Sequence, residues 1–126
     1  MPLPFGTPPP VYRERRAAAL AGPGAAFRPG FVLVSAGFDA HVEDPIGNLG
    51  LGDTDYAVVT DLLRDFADQH TGGRLVSVLE GGYSLTALPR AVEAHLRGLL
   101  EPPPAGRAFA GTPPAAAHDR PRSPGP

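Results

Sequence analysis

Two short runs of apolar and β-branched residues punctuate this chain, Phe31-Val32-Leu33-Val34-Ser35 and Leu75-Val76-Ser77-Val78-Leu79. Neither follows a strict polar and apolar alternation, so each predicts a strand buried on both faces, as in a parallel sheet. Between them Val59, Leu62, Leu63, Phe66 and Ala67 recur at helical spacing. Asp53 or Thr54 offers the N-cap of that helix, and Gly72-Gly73 ends it. A last helix is predicted from about Ala87 to Leu100, with Leu88, Val92, Leu96 and Leu99 along one face. Pro89 falls in its first turn if Thr86 is the cap, where a missing amide hydrogen costs little. Near the start, residues 11–21 have good helix propensity, and Gly22-Pro23-Gly24 is expected to stop that helix. Residues 1–10 carry five prolines and read as an extended or irregular lead-in.

Strand, helix, strand, helix in that order, with a right-handed crossover, implies two parallel strands in an α/β sheet. Ligands of such sheets bind beyond the carboxyl ends of the strands. Two unusual segments leave those ends. Residues 36–53 form a long, polar, Gly-rich loop that carries Asp39, and a loop of that length is functional or disordered. The second is the tight connection Glu80-Gly81-Gly82-Tyr83-Ser84. Asp39 and Tyr83 therefore share one rim if the two strands are neighbours.

Composition narrows what can fold. Of the 17 prolines among 126 residues, seven precede residue 30, eight follow residue 101, and only Pro45 and Pro89 lie between. This divides the chain into a Pro-rich lead-in with one short helix (1–29), an α/β core (30–101) and a Pro/Ala-rich tail (102–126) expected to be disordered. A core that small buries only about 60% of the surface its unfolded chain exposes, so missing packing partners would weigh heavily. The net charge of −2 offers no electrostatic footprint for nucleic acid or an anionic membrane. Arg13, Arg15 and Arg16 read as a solvated helix face. The absence of cysteine removes disulfides, thiolate metal sites and cysteine nucleophiles. No apolar run approaches the roughly 18 residues of a membrane span, and Met1-Pro2-Leu3-Pro4-Phe5 has no signal-peptide pattern, so a cytoplasmic address is the default.

On residue type alone, Asp39, His41 and Asp44 make an oxygen and nitrogen cluster suited to a divalent cation. Equally, Asp39 can cap backbone amides in its turn while His41 faces solvent. Gly81-Gly82-Tyr83 can bring backbone close to a ligand while presenting a phenol that donates to an oxyanion, or Tyr83 can simply pack at the sheet end. Glu80 is a buried acid or a strand-end charge. His70, His95 and His118 are expected to have no catalytic role. No dinucleotide fingerprint, phosphate loop or nucleophile elbow is present.

Taken together, Ser35-Ala36-Gly37-Phe38-Asp39-Ala40-His41, Asp44-Pro45-Ile46-Gly47 and Leu79-Glu80-Gly81-Gly82-Tyr83 resemble the histone deacetylase superfamily. The similarity is to its bacterial branch of acetylpolyamine amidohydrolases and acetoin-utilisation proteins. Pro2-Leu3-Pro4-Phe5-Gly6-Thr7, Tyr12 and Phe27-Arg28-Pro29 fit the same family, and the resemblance spans residues 1 to about 101. It implies a piece of a three-layer α/β/α parallel-sheet domain of the arginase and deacetylase type. It implies Asp39 as one zinc ligand and Tyr83 as the phenol that polarises the acetyl carbonyl and stabilises the oxyanion. Gly81 and Gly82 would let their loop approach the substrate, an acetylated lysine or polyamine, and Ile46 would line the acyl-lysine tunnel. His41 and Asp44 are not ligands in that family. The implied reaction is amide hydrolysis, with zinc as Lewis acid and a histidine as base.

The chain also departs from that pattern. The family's Asp-x-His ligand pair and its paired histidines lie upstream, and residues 1–38 contain no histidine. Pro8-Pro9-Pro10 replaces a Gly-Asp turn, Gly22-Pro23-Gly24 interrupts a helix, and Ser84 replaces Asp or Asn. The disturbed N-terminal third looks like drifted sequence or a start inside a longer gene. The expectation is a C-terminal deacetylase fragment, inactive by itself and not binding zinc tightly alone. The alternatives are a non-catalytic interaction module, or a complementing half that docks onto a separately encoded N-terminal part.

Overall fold

The computed structural model describes residues 3–47 and 49–101, so the expected disordered tail and His118 lie outside the described residues. The first helix, α1, spans Pro9–Ala19 with prolines in its first turn. The irregular lead-in is thus shorter than expected, because the first amides of a helix have no intrahelical partner and proline forfeits nothing there. Gly22-Pro23-Gly24 does not stop the helix either. Leu20–Gly24 forms one π-helical turn with Pro23 inside it, and helical winding resumes as α2, Ala25–Phe27. A wider turn omits the i to i−4 bond that proline cannot make. Arg28, at φ 52°, ends the segment instead.

Strands β1 (Val32–Ala36) and β2 (Leu75–Leu79) pair in parallel, with Val32 opposite Leu75 and Ala36 opposite Leu79. The crossover between them contains α3 (Asp53–Thr71), which ends where Gly72 and Gly73 take positive φ. Helix α4 (Ala87–Leu100) follows β2 and packs against α3. Both helices cover the sheet face that carries Ser77 and its partner Val34; His95 of α4 reaches Ser77 and also Thr60 of α3.

The expectation of strands buried on both faces fails within the described residues. Burial alternates along β1, and Leu33 is 68% exposed, with Phe31, Val76 and Val78 exposed as well. No described element covers that side. Parallel sheets ordinarily carry layers on both faces, so the sequence pattern reports a cover that these residues do not supply.

Two expected caps are also replaced. Gly52, not Asp53 or Thr54, precedes α3, and its N–H donates to the Asp55 carboxylate at 2.9 Å. Arg13 of α1 pairs with that carboxylate, so it anchors α1 to α3 rather than belonging to a solvated face. Thr86 caps α4 in position only; Ser84 Oγ accepts the Ala87 N–H at 3.2 Å. The buried core gathers Phe38, Leu51, Tyr56 and Ala91, flanked by Tyr12, Ala36, Ala40, Leu88 and Val92. It lies under the loops that leave the strands' carboxyl ends.

Candidate functional site at the carboxyl ends of the strands

Pairing between β1 and β2 continues past their ends. Glu80 N–H donates to Ala36 O at 3.0 Å, and Phe38 N–H donates to Gly81 O at 2.7 Å. These two bonds bring the Asp39 loop and the Tyr83 loop onto one rim. Phe38 is held below by Tyr56, whose ring stacks on it at 5.1 Å and whose hydroxyl donates to Phe38 O at 2.9 Å. Burial pushes the Tyr56 phenol well up, so it stays a neutral donor.

Asp39 sits where three glycines leave room. A Cβ at Gly81 would lie 3.0 Å from its Cγ, one at Gly37 would lie 3.1 Å from its Oδ1, and one at Gly47 would collide with its carbonyl. Among the described residues its carboxylate accepts no hydrogen bond, so it does not cap its own turn. An acid left without protein donors at the mouth of a parallel sheet is chemically available to a cation.

His41 and Asp44 are not available, which corrects the reading of a local three-residue cation cluster. His41 is 2% exposed; its Nδ1 accepts the Glu43 N–H at 3.0 Å, so its hydrogen resides on Nε2, which meets Asp53 at 3.0 Å. It does not face solvent. Asp44 is buried, and its Oδ1 accepts the N–H groups of Ile46 (2.8 Å) and Gly47 (3.0 Å). Its Oδ2 accepts the N–H of Tyr83 at 2.7 Å. Burial raises the Asp44 pKa, but the amides of Tyr83, Gly47, Ile46 and Ser84 outweigh that and hold it below the ordinary carboxylate value.

The described residues of the long loop are therefore tied to one another. Leu49 and Leu51 N–H both donate to Ala40 O, and Val42 N–H donates to Leu51 O. Arg90 of α4 clamps it from outside, meeting Glu43 at 2.6 Å and Asp53 at 3.0 Å. Asp53, although desolvation raises its pKa, is held below the ordinary value by Arg90 and His41.

Tyr83 is 54% exposed and Ile46 70% exposed, both on this rim. Gly82, at φ 141°, packs so tightly that an added Cβ would stand 2.7 Å from Leu88 and 3.0 Å from Phe38. Glu80 is exposed rather than buried. His70 packs on Phe66, while His95 is buried between hydroxyls of Thr60 (2.6 Å) and Ser77 (2.8 Å). The sequence reading missed the grip of Asp44 on Tyr83. Its visible signal was Asp44-Pro45-Ile46-Gly47, where an aspartate before proline accepts amides two and three residues on.

Among the described residues no group of three His, Cys, Asp or Glu side chains could hold a metal ion. A zinc site normally takes at least three protein ligands, so these residues do not fit a complete one; of Asp39, His41 and Asp44, only Asp39 has side-chain oxygens without a protein donor among the described residues. No helix of the described residues is long and apolar enough to cross a membrane.

The model of the histone deacetylase domain matches residues 1–99. Type-2 histone deacetylase 2 of Dictyostelium discoideum is 42% identical over 79 residues, covering 60% of this chain and 5% of that protein. The histone deacetylase-like amidohydrolase of Pseudomonas aeruginosa is 44% identical over 63 residues, covering 50% of this chain and 17% of that protein. A crystal structure described as the HDA15 HD domain superposes with TM-score 0.60 at 32% identity, covering 70% of this chain and 24% of the other. The chain thus spans less than a quarter of the length of these relatives.

Proposed function

Because this chain belongs to the histone deacetylase family, we propose that it supplies one side of the active site of a zinc-dependent enzyme hydrolysing acetyl-amide bonds. Asp39 is the zinc ligand on this side and Tyr83 the donor to the acetyl carbonyl and its oxyanion. Gly81 and Gly82 shape the rim, Ile46 lines the acyl channel, and the substrate is an acetylated lysine or polyamine in the cytoplasm. The observation that carries this reading is Asp39: its carboxylate has no protein donor among the described residues and lies against the Gly81 backbone, two residues from Tyr83. A phenol placed at such a rim contributes by donating where negative charge develops. A complete zinc site needs ligands beyond the described residues, and the isolated chain is expected to be inactive.

A second reading, that the chain is a half completed by another polypeptide, is favoured by one feature. The apolar sheet face of Phe31, Leu33, Val76 and Val78, which no described residue covers, asks for a second layer.

The test is a chimera in which residues 30–101 replace the matching segment of the Pseudomonas aeruginosa amidohydrolase. Acetate release and zinc content are measured. Tyr83→Phe should lower kcat about 10²- to 10³-fold, as loss of an oxyanion donor does. Asp39→Ala should lose the metal. An active, folded chimera indifferent to both changes would sink the reading.

A further inference from the structure

We infer that Asp44 is a positioning residue for Tyr83, resting on the reading of Tyr83 as the oxyanion donor. Tyr83 is more than half exposed, so packing does little to hold it. Its backbone follows Gly82, whose φ of 141° is open to few side chains, and precedes the turn into α4. What fixes the backbone at residue 83 is the 2.7 Å bond from its N–H to Asp44 Oδ2. The acceptor comes from 39 residues away, in the loop that also carries Asp39. Asp44 has no cationic partner among the described residues; its charge is spent on backbone amides. A charge-assisted bond of this kind is stronger and more directional than a neutral one. Backbone bonds join the two loops as far as Gly81, and beyond it this one carboxylate ties Tyr83 to the loop of Asp39. Misplacing a reacting group by about 1 Å can cost about 10²-fold in rate.

Asp44→Asn separates the two duties of this side chain. Its single oxygen keeps both the Ile46 and Gly47 bonds if it remains at the Oδ1 position. The new NH2 then opposes the Tyr83 N–H, so the link to Tyr83 breaks while the turn at 44–47 survives. In the full chain, the Tyr83 amide should exchange with solvent at least about 10-fold more slowly than an unbonded loop amide. Asp44→Asn should abolish that protection and leave the amides of β1 and β2 unchanged. An unprotected Tyr83 amide in the folded wild-type chain overturns the inference, whatever the variant does.

In the chimera, Asp44→Asn should lower kcat about 10²-fold with a much smaller change in KM, because the contact is stronger to the oxyanion than to the acetyl carbonyl. The same change made on top of Tyr83→Phe should cost nothing further, the non-additivity expected when one residue acts through another. If Tyr83→Phe is costly but Asp44→Asn is silent, or if the two losses simply multiply, Asp44 does not position Tyr83. If Tyr83→Phe itself is silent, the reading of Tyr83 as a donor falls first.

Discussion

The carboxylate of Asp39 lies directly over Gly81, close enough that a Cβ there would stand 3.0 Å from Cγ and 3.1 Å from Oδ2. The contact joins the two loops that leave neighbouring strands, and it makes glycine at 81 a condition for where Asp39 can sit. Gly81→Ala should therefore leave the fold standing, since a carboxylate can swing by a few tenths of an ångström, but should displace the acid. In the active chimera the expected outcome is weakened metal retention with an unchanged urea midpoint. A loss of stability with normal metal content would show that the side chain of Asp39 does not yield.

Gly82 should behave differently. Its φ of 141° is strained for any other residue, and an added Cβ meets Phe38 of the buried core and Leu88, which packs against that core. Gly82→Ala is expected to cost about 1–3 kcal/mol from backbone strain, with the steric contact adding to it. Equilibrium urea unfolding of the chain reads this directly.

His95 should make stability depend on pH. Thr60 already donates to Tyr56 O, so His95 Nδ1–H donates to Thr60 and Nε2 accepts from Ser77. That arrangement requires neutral imidazole, and burial holds its pKa below the ordinary 6.5. The unfolded chain takes up this proton near 6.5 and the folded chain only at lower pH. Below 6.5 the unfolded state therefore binds more protons, and stability falls as pH falls towards the folded value. Urea midpoints between pH 8 and pH 5 should decline, and His95→Leu should remove that part of the slope. The same variant leaves buried hydroxyls short of a partner, which costs about 1–3 kcal/mol at pH 8.

The pair between Arg13 and Asp55 docks α1, whose described residues are otherwise half-buried or exposed. Asp55→Ala removes both this pair and the acceptor for the Gly52 N–H at the start of α3. A loss of about 0.5–2 kcal/mol is expected, the usual range for a helix cap. Amides of α1 should lose exchange protection while those of β1 keep theirs. Arg13→Ala should free α1 with a smaller loss.

The sheet face that the described residues leave bare should make the chain self-associate. Sedimentation of the isolated chain is expected to show concentration-dependent oligomers, and Leu33→Lys with Val78→Lys should return it to monomer. Those two positions are exposed, so the substitutions remove apolar surface without opening the core.

Much of this was legible in the sequence because it depends on neighbours along the chain. Strand cores, the period of α3 and α4, and the glycines that end α3 are local patterns, and their order implied the parallel pair that is found. The family was legible because its motifs lie in short stretches around Asp39 and Tyr83. The π turn was not, since Gly-Pro-Gly breaks a helix on local grounds and survives here only by widening one turn. Nor were the partners of His41, Asp44 and His95. Each side chain offers the same atoms to a metal, to solvent or to a distant amide, and residue type alone cannot choose among them. Sequence by itself determined that an acid and a phenol would stand at the carboxyl ends of two parallel strands. Only the tertiary structure decided that, among the described residues, the Asp39 carboxylate accepts no hydrogen bond, Asp44 is committed to Tyr83 from 39 residues away, and nothing covers one sheet face. The physical reason is that hydrogen-bond partnership and burial are properties of what packs together, which the order of residues constrains but does not state.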